Sequence, residues 1–295
     1  MPDFILSCES TADLSMEKLK AIDVRPVFFH FYLDGVEHPD DLGQSVPFAD
    51  FYRAMAAGAS TKTAAISAGE YEEFFRGLLA EGKDVLHVSL SSGLSSTYDS
   101  AVCAARAVEG EFPGRRVYVV DSLGASSGYG LIMQKLSDLR AGGASIEQAR
   151  EWVEANKLRM HHWFFSTDLT FYIKGGRVKP AAGYVGNLLG ICPMLNMNTE
   201  GKLIPREKCR SKKKAQKLIV DKMLEHAHHG AAYDGRVFMS QSACPDIADP
   251  VVRVVEAAFP DMDGQVETFS IGTTIGSHTG PGTVALFFWG DERTI

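Results

Sequence analysis

Clustered cysteine is the first thing this sequence lacks. Its five cysteines (Cys8, Cys103, Cys192, Cys209 and Cys244) are odd in number and scattered, with no CxxC pair and no clustered Cys/His spacing. That excludes a disulfide framework and a finger-type zinc site, and makes the reducing cytoplasm the expected compartment. Basic charge is also short. Thirty Lys and Arg stand against 37 Asp and Glu, a net charge of −7, and general nucleic-acid binding requires an excess of cations. No apolar run reaches the roughly 18 residues of a spanning helix. The start, MPDFILSCES, has an acid at position 3 and no basic flank, so it reads as a first strand and not as a signal peptide. Neither GxxxxGKS nor GxxxxGKT occurs, which removes the phosphate-binding loop of P-loop kinases. Internal repeats and low-complexity tracts are absent as well.

What is present describes an ordinary globular chain. It has 295 residues with 45% hydrophobic content, enough for two cores. The first half alternates apolar runs (Phe4 to Leu6, Val24 to Leu33, Val85 to Leu90, Arg116 to Val120) with helical patterns near residues 15–20, 46–57, 68–81, 97–108, 126–141 and 145–158. Such alternation predicts a mostly parallel sheet flanked by helices, with ligands beyond the carboxyl ends of its strands. The second half has short strand-like runs (Trp163 to Phe165, Cys192 to Asn196, Lys202 to Pro205, Arg236 to Ser240, Gln265 to Ile271, Thr283 to Trp289) and helices near 211–229 and 246–259. The expectation is an α/β protein of two domains, an N-terminal α/β domain over 1–160 and a C-terminal α+β domain over 161–295.

The stretch SSGLSSTYDSA, Ser91 to Ala101, concentrates hydroxyls (Ser91, Ser92, Ser95, Ser96 and Thr97) on a strand-to-helix turn opened by Gly93. Unpaired N–H groups at a helix start suit an anion, and here the donors would be hydroxyls and amides without a cation. One serine would suffice for capping alone. Lys62 to Ser67 reads as a capped helix start. Asp121-Ser122 and Glu9-Ser10-Thr11, both at strand ends, fit a ligand contact or backbone satisfaction equally well. Ile275 to Gly282, IGSHTGPG, places His278 on a glycine-rich loop, where its imidazole can donate to a carboxylate or to its own loop. His226, His228 and His229 close a helix, and His161-His162 lacks metal partners at helical spacing. The basic run Arg206, Lys208, Arg210, Lys212, Lys213, Lys214 and Lys217 reads first as a solvated helix start, and otherwise as a docking patch for an acidic partner.

Taken in order, these motifs resemble the DegV family of bacterial fatty-acid-binding proteins over essentially the whole chain. SCESTADL is similar to the family's TDSTADL, SSGLSSTYDSA to SSGLSGTYxSA, VVDSLGASSGYG to VxDSxxxSxGxG, FYIKGGRV to xYLxKGGRI, and IGSHTGPG to IGxHxGPG. The resemblance implies a two-domain α/β fold holding one long-chain fatty acid between its domains. It implies a non-catalytic, acyl-carrying subunit that needs no cofactor and presents the carboxylate to an ATP-binding fatty acid kinase subunit for acyl-phosphate formation in phospholipid synthesis. By the family pattern Thr63, Ser92 and His278 hold the carboxylate, Ser91, Gly93, Ser95 and Thr279 are secondary headgroup candidates, and Arg177 and Arg206 face the kinase partner. Thr63-Ala64-Ala65-Ile66-Ser67 departs from the family's TSQPS, Glu9 replaces Asp, and Ser96 replaces Gly; the first change bears on pocket shape.

Ten buried methylenes supply about 8 kcal/mol before binding costs, so neutral donors need only position the carboxylate. Tunnel-wall candidates are Phe28, Phe29, Phe31, Phe164, Phe165, Leu188, Leu189, Ile191 and Met194. The rival reading is a stand-alone serine hydrolase acting on lipid esters, from Ser92 or Ser95 with His278 and Asp121. No GxSxG surrounds either serine.

Overall fold

The computed structural model describes residues 4–179 and 191–294. From the amino end the chain runs through β1 (Phe4–Glu9), α1 (Met16–Ala21), β2 (Val24–Val27), β3 (His30–Leu33), β4 (Val36–Pro39), α2 (Phe48–Ala56), β5 (Thr61–Ala64) and α3 (Ala68–Leu79). It continues through β6 (Asp84–Ser89), α4 (Thr97–Glu109), β7 (Val117–Asp121), α5 (Ser126–Ala141) and α6 (Ile146–Asn156). Next come β8 (Met160–Ser166), α7 (Thr170–Lys174), β9 (Cys192–Met197), β10 (Leu203–Cys209) and α8 (Lys212–His226). The last elements are β11 (Phe238–Gln241), α9 (Pro245–Ala258), β12 (Glu267–Ser270), α10 (Thr273–Thr279) and β13 (Thr283–Trp289).

The four strands β2-β1-β6-β7 form an all-parallel sheet. Its central members read as unbroken apolar runs because helices cover both faces. The second sheet has the order β10-β9-β8-β13-β11-β12 and is antiparallel except for the β11–β12 pair. These two sheets fall on either side of residue 160. Helix α5 packs against β1 in one and against β8, β11 and β13 in the other, so the main core runs through both, with Val88, Leu131, Phe164 and Phe287 as members. A second core, with Trp163, Phe165 and Met194, lies under α8 and α9. Successive side chains of β8 therefore serve opposite faces, as the strand period of two requires.

Two expectations are corrected. Residues 61–64 are not part of a helix start: they form β5, which pairs with β3 and puts Phe31 opposite Thr63. The helix cap lies three residues on, where Ser67 and Glu70 make a reciprocal capping box. Together with β4, these strands make a small sheet backed by Phe31, Phe51, Tyr52 and Met55. His278 stands not on a loop but near the end of α10. The glycine-rich segment folds because remote groups hold its start. Asp13 accepts the Gly272 N–H at 2.9 Å, and Asp40 accepts the Thr273 hydroxyl at 2.8 Å and the Thr274 N–H at 3.3 Å. Gly280 ends the helix at φ 67°, and a Cβ there would strike the Phe171 ring, so only glycine fits. Among the described residues no helix is long and apolar enough to cross a membrane.

Candidate functional site

Where β6 and β7 end, a cavity of about 310 Å³ opens between the sheets. Leu90 and Ala125 bound it on the parallel-sheet side, Phe164, Ala285 and Phe287 on the antiparallel side. This is the crevice beyond the strands' carboxyl ends that the alternation predicts. Its walls are mainly apolar, with two imidazoles, His162 and His278, and a group of hydroxyls that includes Thr63, Ser95, Ser96, Thr274 and Thr279.

Each polar group arrives by a separate route. The small sheet carries Thr63, and α10 packs against β3 and β5, so Thr63 Oγ1 meets His278 Nε2 at 2.8 Å. Burial, with the Arg177 guanidinium adding repulsion, pushes the His278 imidazole down to about 4. Among the described residues, His278 Nδ1 and Thr279 Oγ1 are buried without a hydrogen-bond partner. A buried polar atom left unpaired costs roughly 1–3 kcal/mol, and these two sit in the wall of the cavity. Ser95 accepts the Thr97 N–H at 3.2 Å, which leaves its own proton free to donate.

The serine turn divides its labour. Ser91 is fully buried and donates to the Gly201 carbonyl at 2.8 Å, tying the turn to the β9–β10 connection. A Cβ on Gly93 would come within 2.5 Å of the Glu200 carbonyl oxygen, so Gly93 serves that close approach. Neither residue lines the cavity, and Ser92 does not either. Ser92 is exposed and gives its N–H to Asp121 at 3.2 Å. The structure thus places Ser95 and Ser96 at the cavity, and Ser91, Ser92 and Gly93 outside it. Ser96 was passed over as a site residue. Its place in the serine run was the available signal, but nothing periodic in a turn says which hydroxyls point inward.

Arg177, expected at a partner surface, is half-buried in the cavity wall beside His278, so the site is not free of cations. Arg206 lies on β10 where the ladder slips between Pro205 and Glu207, and donates to Asn196 at 2.8 Å. Asp121 takes the backbone N–H groups of Ser92 and Leu123, and Glu9 is likewise occupied within the core; both open cases resolve as backbone and core satisfaction. Of the tunnel-wall candidates, Phe29 and Phe164 line the cavity. Phe31, Phe165 and Met194 belong to the other cores, and Leu188 and Leu189 lie outside the described residues.

The serine hydrolase reading finds no support in this geometry. The hydroxyl bonded to His278 is that of Thr63, and Asp121 is bonded to backbone. One GxSxG sequence does exist, Gly124 to Gly128, with Ser126 at φ 56° as the first residue of α5. Its hydroxyl donates to the buried Asp13 carboxylate, while the neighbouring His162 Nε2 is taken by the Ala125 N–H at 3.2 Å.

The depressed His278 value has a measurable sign. A histidine whose folded pKa lies below its unfolded value near 6.5 resists protonation in the native state. Its contribution is intact above pH 6.5 and is lost as pH falls toward 4. The unliganded protein is expected to lose up to about 2 kcal/mol more than His278→Gln between pH 7 and 5, measured by urea unfolding. Equal losses in the two proteins would contradict the assignment.

The profile of the DegV family, described as that of an uncharacterised protein, matches residues 6–291. A DegV domain-containing protein of Lactococcus lactis is 32% identical over 285 residues, covering 96% of both chains. A fatty acid-binding protein of Thermotoga maritima is 31% identical over 283 residues, covering 94% of both. Among solved structures, a fatty-acid-binding DegV family protein of Thermus thermophilus superposes with a TM-score of 0.86 at 27% identity, over 98% of this chain and 99% of that one. The fatty acid kinase B3 protein of Streptococcus pneumoniae, loaded with linoleic acid, superposes at 0.83 over 98% and 99% of the chains; at 22% identity it shows the shared fold alone.

Proposed function

The chain belongs to the DegV family, and from that premise we propose that it binds one long-chain fatty acid, its tail in the apolar cavity and its carboxylate against Thr63, Ser95, His278 and Thr279. One observation carries the reading: among the described residues, three buried polar atoms of the wall of a mainly apolar cavity, Thr274 Oγ1, His278 Nδ1 and Thr279 Oγ1, lack hydrogen-bond partners. A carboxylate satisfies such donors, and an alkyl chain satisfies the rest of the surface. Fourteen methylenes contribute roughly 11 kcal/mol on burial, against an association cost of about 4–15 kcal/mol. The tail must therefore be largely enclosed, and the head group chiefly fixes its direction. Arg177 supplies long-range attraction for the anion from the cavity wall.

The finer reading is that the protein carries the acid and does not transform it. The bound carboxylate would be presented to a separate ATP-binding kinase subunit, which transfers a phosphoryl group to it for phospholipid synthesis. Support comes from the missing phosphate-binding loop in this chain and from the fold shared with the Streptococcus pneumoniae protein. Arg206 and the cations after it are the proposed contact for that subunit.

Protein purified from bacteria is expected to release one long-chain fatty acid per chain on solvent extraction, read by mass spectrometry. Thr63→Val and Ser95→Ala are each expected to weaken binding by about tenfold or more, the usual worth of a hydrogen bond to a charged group, with Ser92→Ala unchanged. Protein that is consistently lipid-free, and that takes up no added fatty acid, would sink the proposal.

A further inference from the structure

The two histidines of the His161-His162 dipeptide go to opposite faces of β8. His162 lines the cavity. His161 turns to the far side, where it meets His226 at the end of α8 and Asp291 just past β13. We infer that His161, His226 and Asp291 form a site for a divalent transition metal, with zinc the ion their two imidazoles and one carboxylate suit best.

The ligand atoms of the three residues all lie within 4.8 Å of one another. Asp291 Oδ1 is 2.9 Å from His161 Nε2 and 3.3 Å from His226 Nδ1. With bonds of roughly 2.0–2.1 Å, the edge of a tetrahedral zinc site is about 3.3 Å, so two of the edges are already near length. The third requires the His226 ring, half-buried at the helix end, to turn out of its stack between His161 and Trp163. Asp291 itself is 60% exposed, which leaves an entry path and room for a water as fourth ligand.

The backbone holds this arrangement without help from the side chains. Asp291 N–H donates to the His226 carbonyl at 2.9 Å, Gly290 N–H donates to the Arg159 carbonyl at 2.8 Å, and Ala227 bridges Gly290. A Cβ on Gly290 would collide with the His226 carbonyl and come within 2.8 Å of the His161 ring. Glu225 lies 3.7 Å from His226 Nε2, where an outer carboxylate steadies a metal-bound imidazole. Burial keeps His161 down at about 4, so its ring is uncharged at neutral pH. His161 Nε2 also meets the Asp291 backbone carbonyl at 3.0 Å, a hydrogen bond that an ion at this nitrogen would replace, with the ring proton moving to Nδ1. Arg293 is the opposing charge near His161, and its guanidinium donates to the Leu123 carbonyl at 3.0 Å. An ion here would clasp the start of β8, the end of α8 and the exit of β13, on the face of the sheet away from the lipid.

Zinc chloride titrated into chelator-stripped protein, in competition with a chromophoric chelator, is expected to give one saturable ion per chain. It should also raise the melting temperature by about 5 °C at saturation. Asp291→Asn and His226→Gln should each weaken binding at least tenfold and remove the thermal shift, while retaining wild-type circular dichroism. His229→Gln, exposed and outside the cluster, should behave as wild type. Cobalt(II) should give a visible absorption band of low-symmetry coordination that Asp291→Asn abolishes. The inference is overturned if wild-type protein binds no zinc saturably, or if both cluster variants bind it as wild type does.

Discussion

Replacing Glu9 by alanine is expected to lower the unfolding free energy by about 3–5 kcal/mol, since removing a buried acceptor costs roughly 1–3 kcal/mol for each donor it leaves unpaired. Glu9 is 0% exposed. Its carboxylate accepts from Tyr71 Oη at 2.6 Å, Leu90 N at 2.9 Å, Tyr129 Oη at 3.1 Å and His87 Nε2 at 3.1 Å. Deletion strips this acceptor from the Leu90 N–H and from His87 Nε2, while Tyr129 keeps the Glu9 backbone carbonyl at 2.9 Å and Tyr71 keeps Thr97 Oγ1 at 3.0 Å. Burial alone would raise this carboxyl, but the His87 charge and the surrounding hydrogen bonds outweigh it and hold the pKa below its ordinary value. A carboxyl with a depressed folded pKa stabilises the protein above its unfolded value and loses that contribution as pH falls through the folded one. The gap between wild type and Glu9→Gln should therefore narrow in acid, as urea unfolding at pH 7 and at pH 3 would reveal. A loss under 1 kcal/mol in Glu9→Ala at pH 7 would show that the network is slack. Because Leu90 precedes the serine turn directly, the same variant should also loosen the headgroup end of the cavity.

A larger functional effect is expected from Ala285→Trp. Ala285 sits on β13 opposite Phe164, 5% exposed, with its methyl in the cavity wall. An indole there occupies space the alkyl chain requires. Excluding about four methylenes forfeits roughly 3 kcal/mol, or about 200-fold in affinity, while the overpacking strain of roughly 1–3 kcal/mol should leave the fold intact. Fatty-acid content after purification and competition with a fluorescent fatty acid both measure this. Wild-type occupancy in a folded Ala285→Trp protein would place the tail elsewhere.

The sequence made the alternating layers legible because local pattern and tertiary burial agree there. Ser126 to Ala141 and Thr283 to Trp289 are found with the bounds their periodicity predicts. It failed where distant groups decide. Thr61–Ala64 has no apolar run of its own and becomes a strand only by pairing with β3. Thr273–Thr279 is poor in helix formers and becomes helical because Asp13 and Asp40 hold its first turn. Within the candidate site, the residue types were legible but their directions were not. Ser92 and Ser95 are three apart on an irregular turn, and only the fold shows which faces the cavity. The family likeness located Arg177 by its KGGR setting, yet its half-buried place in the cavity wall depends on how α7 meets α10. The His161 cluster is invisible at helical spacing because its members come from three separate segments.

Strand β13 follows every other strand in the chain, yet it lies in the middle of the six-stranded sheet, between β8 and β11. During synthesis the parallel sheet can pair as soon as β7 emerges. The second sheet must instead wait, with β8 and β11 exposing open edges, until residues near 289 have left the ribosome. Such edges are templates for pairing with other chains. The open edges persist until β13 inserts, and the cavity, walled on one side by Ala285 and Phe287 of β13, cannot form before that strand has paired.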